Sequence, residues 1–253
     1  MQGILLRVGC DQTPAGGGWN APVDPCSWQY AYVPIAADEG EREHIAPCPT
    51  YGVFEESVGA LAVSLPDHLS GTTKVHLDPD FESLTYGEPF LSSNGRRASR
   101  GTIIGELGEG DFIAFFAGFR PTAEGGPRCA GWQHPLAYCL FGIFVVERVT
   151  RVGELSFEQR CACAHGRREG AEDDLVVFAK PRLSGRFRRA IPIGEYRDNA
   201  YRVRRELLEV WGGLAVRDGY IQRSARPPRF KDPVAFRRWL EGRAESSELL
   251  RCN

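Results

Sequence analysis

The chain has 253 residues, 42% of them apolar and 25% charged, with a net charge of −2. That length can bury a full core, as one large domain or two small ones. No run approaches the roughly 18 consecutive apolar residues of a membrane helix, so a helical membrane span is excluded.

The first residues, Met1-Gln2-Gly3-Ile4-Leu5-Leu6-Arg7, lack the charged start and long apolar core of a signal peptide and point to the cytoplasm. The eight cysteines are scattered rather than dense, so reduced and mostly buried thiols are expected. The small net charge hides an asymmetry. Residues 180–251 carry 18 Lys plus Arg against 9 Asp plus Glu, and residues 1–179 carry 13 against 24. An acidic part joined to a basic part suggests a polyanionic partner. Only Lys74, Lys180 and Lys231 are lysines. The excess of arginine fits bidentate phosphate contacts, and equally a compositional bias without function.

In chain order, residues 3–8 predict a first strand, followed by a Gly- and Pro-rich loop through Gly18. Residues 19–52 are irregular, with strand-like pieces such as 29–35. Val58, Leu61, Ala62 and Leu65 can share a helical face over residues 54–65. Residues 74–80 (Lys-Val-His-Leu-Asp-Pro-Asp) predict a strand with Lys74, His76, Asp78 and Asp80 on one side and Val75 and Leu77 on the other. A polar turn at 93–100, a short apolar piece at 102–107 and a tight turn at 108–111 follow. Residues 112–119 are continuously apolar and aromatic, which predicts a strand buried on both faces. Further strands are expected at 138–149 and 175–179, and helices at 198–211 and from Asp232-Pro233 to Gly242. This order predicts an α+β fold, with a mixed or barrel-like central β-sheet and helices mainly in the C-terminal part. We expect a single domain over 1–253, acidic and strand-rich through 179, basic and more helical beyond.

His76, Asp78 and Asp80 suit a divalent cation, a general base with its orienting group, or a plain structural turn. Asp11, at a strand end before Gly16 and Gly17, is the carboxylate expected to converge on them, and Asp111 could lean toward the same cavity. Alternatively, both acids simply belong to turns. Cys161-x-Cys163-x-His165 is a poor match to structural zinc spacing; Cys129, Cys139 or His134 could supply a fourth ligand, but nothing in the sequence requires it. The arginines around 182–189 and 223–229, including Arg186, Arg188, Arg189 and Arg226, alternate with Phe, Gly, Ser and Pro. That mixture suits phosphates and stacked bases, or a solvated surface.

The motifs Arg7-x-Gly9-x-Asp11 with Gly16-Gly17, His76-Leu77-Asp78-Pro79-Asp80, and Gly110-Asp111 through Arg120 resemble the nucleotide modification associated domain 3 family. His165, the 175–180 strand and Ile191-Pro192 are similar too. The resemblance implies a nucleotide or nucleic-acid substrate, DNA rather than RNA, with Arg7, Asp11, His76, Asp78 and Asp111 on the family's polar positions. The strand pair 111–119 and 140–149 is also similar to base-recognising barrels of the pseudouridine-synthase-associated type. That likeness implies aromatic walls around a flipped or free base.

The first expectation is an enzyme acting on a nucleotide or on a base in nucleic acid. Asp11, His76 and Asp78 would be catalytic, with Asp80 and Asp111 supporting. Arg7, Gly16, Gly17, Arg97, Arg100 and Arg120 would contact phosphate; whether a metal joins is open, and a divalent ion such as Mg²⁺ would suit the carboxylates and a phosphate substrate. The alternatives are a non-catalytic reader of modified nucleic acid and a metal-stabilised structural partner.

Overall fold

The computed structural model describes residues 1–9, 11, 18–37, 45–92, 95–122, 134–222, 226–244 and 249–250. Its strands are β1 (Gly3–Arg7), β2 (Pro22–Val23), β3 (Thr85–Glu88), β4 (Phe112–Pro121) and β5 (Ala137–Arg151). They continue with β6 (Leu175–Ala179), β7 (Gly185–Pro192), β8 (Gly194–Arg197), β9 (Ala200–Val203) and β10 (Leu249–Leu250). The helices are α1 (Glu55–Gly59), α2 (Ser99–Gly105), α3 (Phe157–Cys161), α4 (Ala164–Arg167), α5 (Arg205–Val210) and α6 (Pro233–Ala244).

Eight strands form one mixed sheet, and β8 and β9 form a separate hairpin. β1 runs parallel to β4, from Gly3 opposite Phe112 to Arg7 opposite Phe116. β4 and β5 are antiparallel. β5 is 15 residues long and changes partner along its second edge. Cys139 to Ile143 pair with β7, and Val146 to Arg151 pair with β6, which carries β3 on its other side. The fold is therefore α+β around a mixed sheet, as the order of patterns predicts. Among the described residues, no helix is long and apolar enough to cross a membrane.

The two-sided burial expected for residues 112–119 is observed, because each face of β4 seeds its own core. Ile113, Phe115, Ala117 and Phe119 face one cluster with Phe81, Tyr86, Phe141 and Phe144. Phe112, Ala114 and Phe116 face the other, with Trp211, Phe230 and Phe236. Phe115 meets Phe144 edge-on at 5.0 Å between ring centroids, and Phe112 stacks on Phe236 at 5.3 Å. These rings pack against each other. The four β4 phenylalanines, Phe112, Phe115, Phe116 and Phe119, are almost fully buried within the two cores.

Other expectations need correction. The helix over 54–65 shortens to α1, because Ala62 adopts a left-handed φ of 54° and the chain turns away. The first half of the 198–211 helix is instead the β8–β9 hairpin, turned at Asp198 and Asn199, both at positive φ. Residues 102–107 belong largely to α2. β7 runs through the basic stretch at residues 182–189, where the sequence predicts no strand. Residues 74–80 are extended but form only isolated bridges, at Lys74, Val75 and Asp80. Cys26 is disulfide-bonded, against the expectation of reduced thiols, whereas Cys48, Cys139, Cys161 and Cys163 are free.

α6 starts where Asp232-Pro233 predicts it, with the Asp232 carboxylate accepting from the Ala235 N–H at 2.9 Å. Its Phe236 and Leu240 join the second core. Backbone bonds from Leu5 to Pro228 and from Phe230 to Gly3 tie this region to β1. Phe115→Ala should lower unfolding free energy by about 3–5 kcal/mol, the scale of a large cavity in a close-packed core. Asp232→Ala, which removes only a helix cap, should cost about 1 kcal/mol. Urea unfolding of the two variants beside the parent protein measures both.

Candidate functional site

The chain around His76 is held from several sides. Val75 donates its N–H to the Pro49 carbonyl, His76 donates to Ile35, and the Tyr32 hydroxyl donates to the Pro79 carbonyl at 2.9 Å. Asp80 then closes a turn, its carboxylate accepting from the N–H groups of Glu82 and Ser83. The turn brings β3 back beside Asp78. There the Gly87 N–H donates to both Asp78 oxygens, at 2.9 and 3.0 Å, and fixes the carboxylate.

His165 comes from a distant part of the chain. A capping box starts α3: Ser156 Oγ accepts from the Gln159 N–H, and the Gln159 side chain accepts from the Ser156 N–H. α4 then packs tightly on α3, so closely that a Cβ at Gly166 would lie 2.3 Å from the Arg160 carbonyl oxygen. This docking lays the His165 ring against β3. A Cβ at Gly87 would lie 2.1 Å from the ring, so only glycine leaves room for the imidazole.

The outcome is a buried trio. Nε2 of His165 lies 3.6 Å and Nε2 of His76 lies 3.8 Å from the same Asp78 oxygen, Oδ2. The two rings meet edge-on at 5.0 Å. One ligand-type atom from each residue falls within 4.8 Å of the others. Nδ1 of His165 is 2.7 Å from Asp174 Oδ2, just before β6, and Arg168 approaches that carboxylate at 3.5 Å. A carboxylate on Nδ1 sets the tautomer with the proton there, leaving the Nε2 lone pair facing Asp78.

A second polar layer lies beside the trio. The Tyr86 hydroxyl donates to Glu88, and Arg100 Nη2 donates to the Tyr86 oxygen at 2.8 Å and pairs with Glu88 at 3.1 Å. Burial pushes the carboxyl groups of Asp78 and Glu88 above their ordinary values, Asp78 strongly. Burial also pushes the His165 imidazole down to about 4. At neutral pH the His165 imidazole is thus neutral.

The expected convergence of Asp11 on His76 and Asp78 does not occur. Asp11 pairs with Arg7 at 3.4 Å, and Arg7 lies 5.2 Å over the Tyr138 ring and donates to the Gln222 carbonyl. Tyr138 belongs to the second core, whereas Phe81 and Tyr86, around the trio, belong to the first. The sheet therefore separates the two groups, since successive β1 side chains alternate between its faces. Asp111 also stands apart, its oxygens accepting from the N–H groups of Gln2 and Gly108. Gly16 and Gly17 lie outside the described residues. Arg97 and Arg120 are exposed, and Arg100 belongs to the Glu88 layer. Arg188, Arg189 and Arg226 are exposed, while Arg186 lies over the Tyr30 ring at 5.5 Å.

The Cys-x-Cys-x-His motif does not act as a unit. Cys161 Sγ points to the Ile45 carbonyl and Cys163 Sγ toward Arg160, and burial raises the Cys163 thiol to about 11. Only His165 reaches the trio. Its partnership with His76, and the roles of Asp174, Gly87 and Glu88, were missed from sequence. The available signal was scarcity: a chain with five histidines places two beside one carboxylate.

A family model for nucleotide modification associated domain 3 matches residues 2–217. The chain belongs to that family. Neither the curated proteins nor the solved structures contain a match to it. The family's name connects it with nucleotide modification, and the matched span includes every residue of the trio and its surroundings. Residues 218–253 lie beyond the match, although Phe230 and Phe236 complete the second core of this nucleotide modification associated domain.

Gly87→Ala should displace the His165 ring and destabilise the fold by about 1–3 kcal/mol, the usual cost of overpacking. Thermal unfolding reads the cost, and the His165 ring resonances read the displacement. In chelator-treated protein, NMR should show His165 titrating near pH 4 rather than 6.5. The unfolded chain takes up this proton first as pH falls. The group therefore lowers stability as pH drops from about 6.5 to about 4, and contributes nothing to pH dependence above that window.

Proposed function

We propose that this protein is an enzyme acting on a nucleotide or on a base in nucleic acid, with DNA the favoured polymer and the cytoplasm the favoured location. Its chemical centre is the buried trio of His76, Asp78 and His165. The observation that carries the reading is the geometry of that trio: two imidazole Nε2 atoms aimed at one buried Asp78 oxygen, 3.6 and 3.8 Å away. Buried titratable groups are costly to a fold, and the shifted proton affinities of Asp78 and His165 mark the cluster as a candidate functional site. The family's name, which refers to nucleotide modification, supports the substrate class.

The trio can hold and move a proton at two distinct nitrogens, or bind a ligand through three converging atoms. Asp174 holds His165 in register. The exposed guanidinium groups of Arg188, Arg189 and Arg226 suit the phosphates of a nucleic-acid substrate. Asp11 with Arg7, on the opposite face of the sheet, is better suited to holding its own loop and Tyr138 in place than to joining this chemistry.

The test is to incubate the purified protein with nucleotides and with DNA, and to analyse the nucleosides by mass spectrometry. His165→Ala and Asp78→Ala should each reduce product formation by about 10²–10⁴-fold, the range for loss of a general acid or base. Arg188→Ala combined with Arg189→Ala should weaken DNA binding and flatten its salt dependence, with little effect on a mononucleotide. Unchanged product from both trio variants would remove the assignment.

A further inference from the structure

We infer that His76, Asp78 and His165 are the three protein ligands of a divalent transition-metal ion, with its remaining coordination positions left to water and substrate. The inference rests on the reading of the trio as the chemical centre, and it replaces the Mg²⁺ expected from sequence. Mg²⁺ prefers an all-oxygen octahedron, whereas two imidazole nitrogens and one carboxylate oxygen suit zinc, iron or manganese.

Four observations converge on the ion. The first is spacing. Atoms bound at about 2.1 Å to one ion lie about 3.0–3.5 Å from each other. The two Nε2 atoms stand 3.6 and 3.8 Å from Asp78 Oδ2, too far for a good hydrogen bond and close to the spacing of co-ligands.

The second is charge. Glu88 has Arg100 at 3.1 Å, and Asp174 has Arg168 at 3.5 Å. Asp78 has no lysine or arginine in ion-pair contact among the described residues, although its side chain is only 8% exposed. Arg100 acts on Asp78 only from beyond contact distance, since Glu88 holds its guanidinium, and a bound cation would supply the contact partner that this buried carboxylate lacks among the described residues.

The third is orientation. The Asp174–His165 contact at 2.7 Å is the carboxylate–imidazole arrangement that holds a metal-binding histidine in one tautomer. The fourth is space. Gly87 supplies both the N–H that fixes the Asp78 carboxylate and the gap that admits the His165 ring. Among the described residues the set has three ligands rather than four, the composition of an open centre of the catalytic type. An ion held there would polarise a phosphoryl or carbonyl oxygen and activate water near neutral pH.

Elemental analysis of the purified full chain should find about one zinc, iron or manganese per molecule, as one such set binds one ion. Chelator-treated protein should then bind Co²⁺ and show its visible ligand-field bands. Asp78→Asn and His165→Ala should abolish that spectrum. Asp174→Asn, which keeps all three ligands, should weaken Co²⁺ binding by about 10–100-fold while circular dichroism stays unchanged. Cys161→Ser should leave the spectrum as it was. Failure of the parent protein to bind Co²⁺ or Zn²⁺, or a thiolate-to-cobalt charge-transfer band, overturns the ligand set, as does full binding by Asp78→Asn. The two readings separate cleanly. Metal bound by the trio without any nucleoside product keeps the ion and removes the nucleotide enzyme, whereas full product from metal-free protein does the reverse.

Discussion

Two-sided burial of β4 is the constraint on which the rest of the molecule depends. A strand with aromatic side chains on both faces cannot leave either face to water. Phe115 and Phe119 on one side, and Phe112 and Phe116 on the other, each require a covering layer. On the second face, α5, α6 and the 228–230 segment supply it through Leu207, Phe236 and Phe230. On the first face the cover comes from less regular chain, including residues 30–33, 51–58, 75 and 81–86. That irregular cover carries His76 and Asp78. The β5 partner switch gives the first face its depth, because β6 and β3 extend the sheet past the point where β7 leaves it.

Polar groups in this second layer are organised by pairing. Glu88 with Arg100 and Tyr86, and Asp174 with His165 and Arg168, each satisfy buried oxygens with donors. The contrast with Asp78 gives the centre its character. Its oxygens receive a backbone N–H and face two imidazoles, of which burial keeps that of His165 neutral, while the guanidinium of Arg100 is engaged by Glu88. Natural folds keep such unbalanced groups mainly where function needs them.

Sequence patterns made the regular parts of this architecture legible and the connections between them much less so. The strands at 3–7, 112–121, 137–151 and 175–179 announce themselves by continuous apolar runs, and α6 by its Asp-Pro start. β3 escaped because Thr-Tyr-Gly-Glu is short and contains a glycine, whose role is spatial and not conformational. β7 escaped because arginines masked its pattern. Within the site, His76 and Asp78 were legible because they are two residues apart and share a side of an extended segment. His165 and Asp174 were not, because nothing local relates residue 165 to residue 76. Asp11 illustrates the opposite error. A carboxylate at a strand end before glycines looked like a ligand, yet the alternation of β1 sends its arginine partner to the other face of the sheet.

The long sequence separation within the trio also shapes how the protein matures. Asp78 is joined to His165 through β3, which packs on α4 and pairs with β6, itself paired with β5. Closing a loop of that length costs chain entropy that local contacts do not offset. A nascent or unfolded chain therefore presents at most a two-residue fragment of the set. The complete cage exists only in the finished fold. If the centre holds the inferred ion, its occupancy would report that these distant segments have come together.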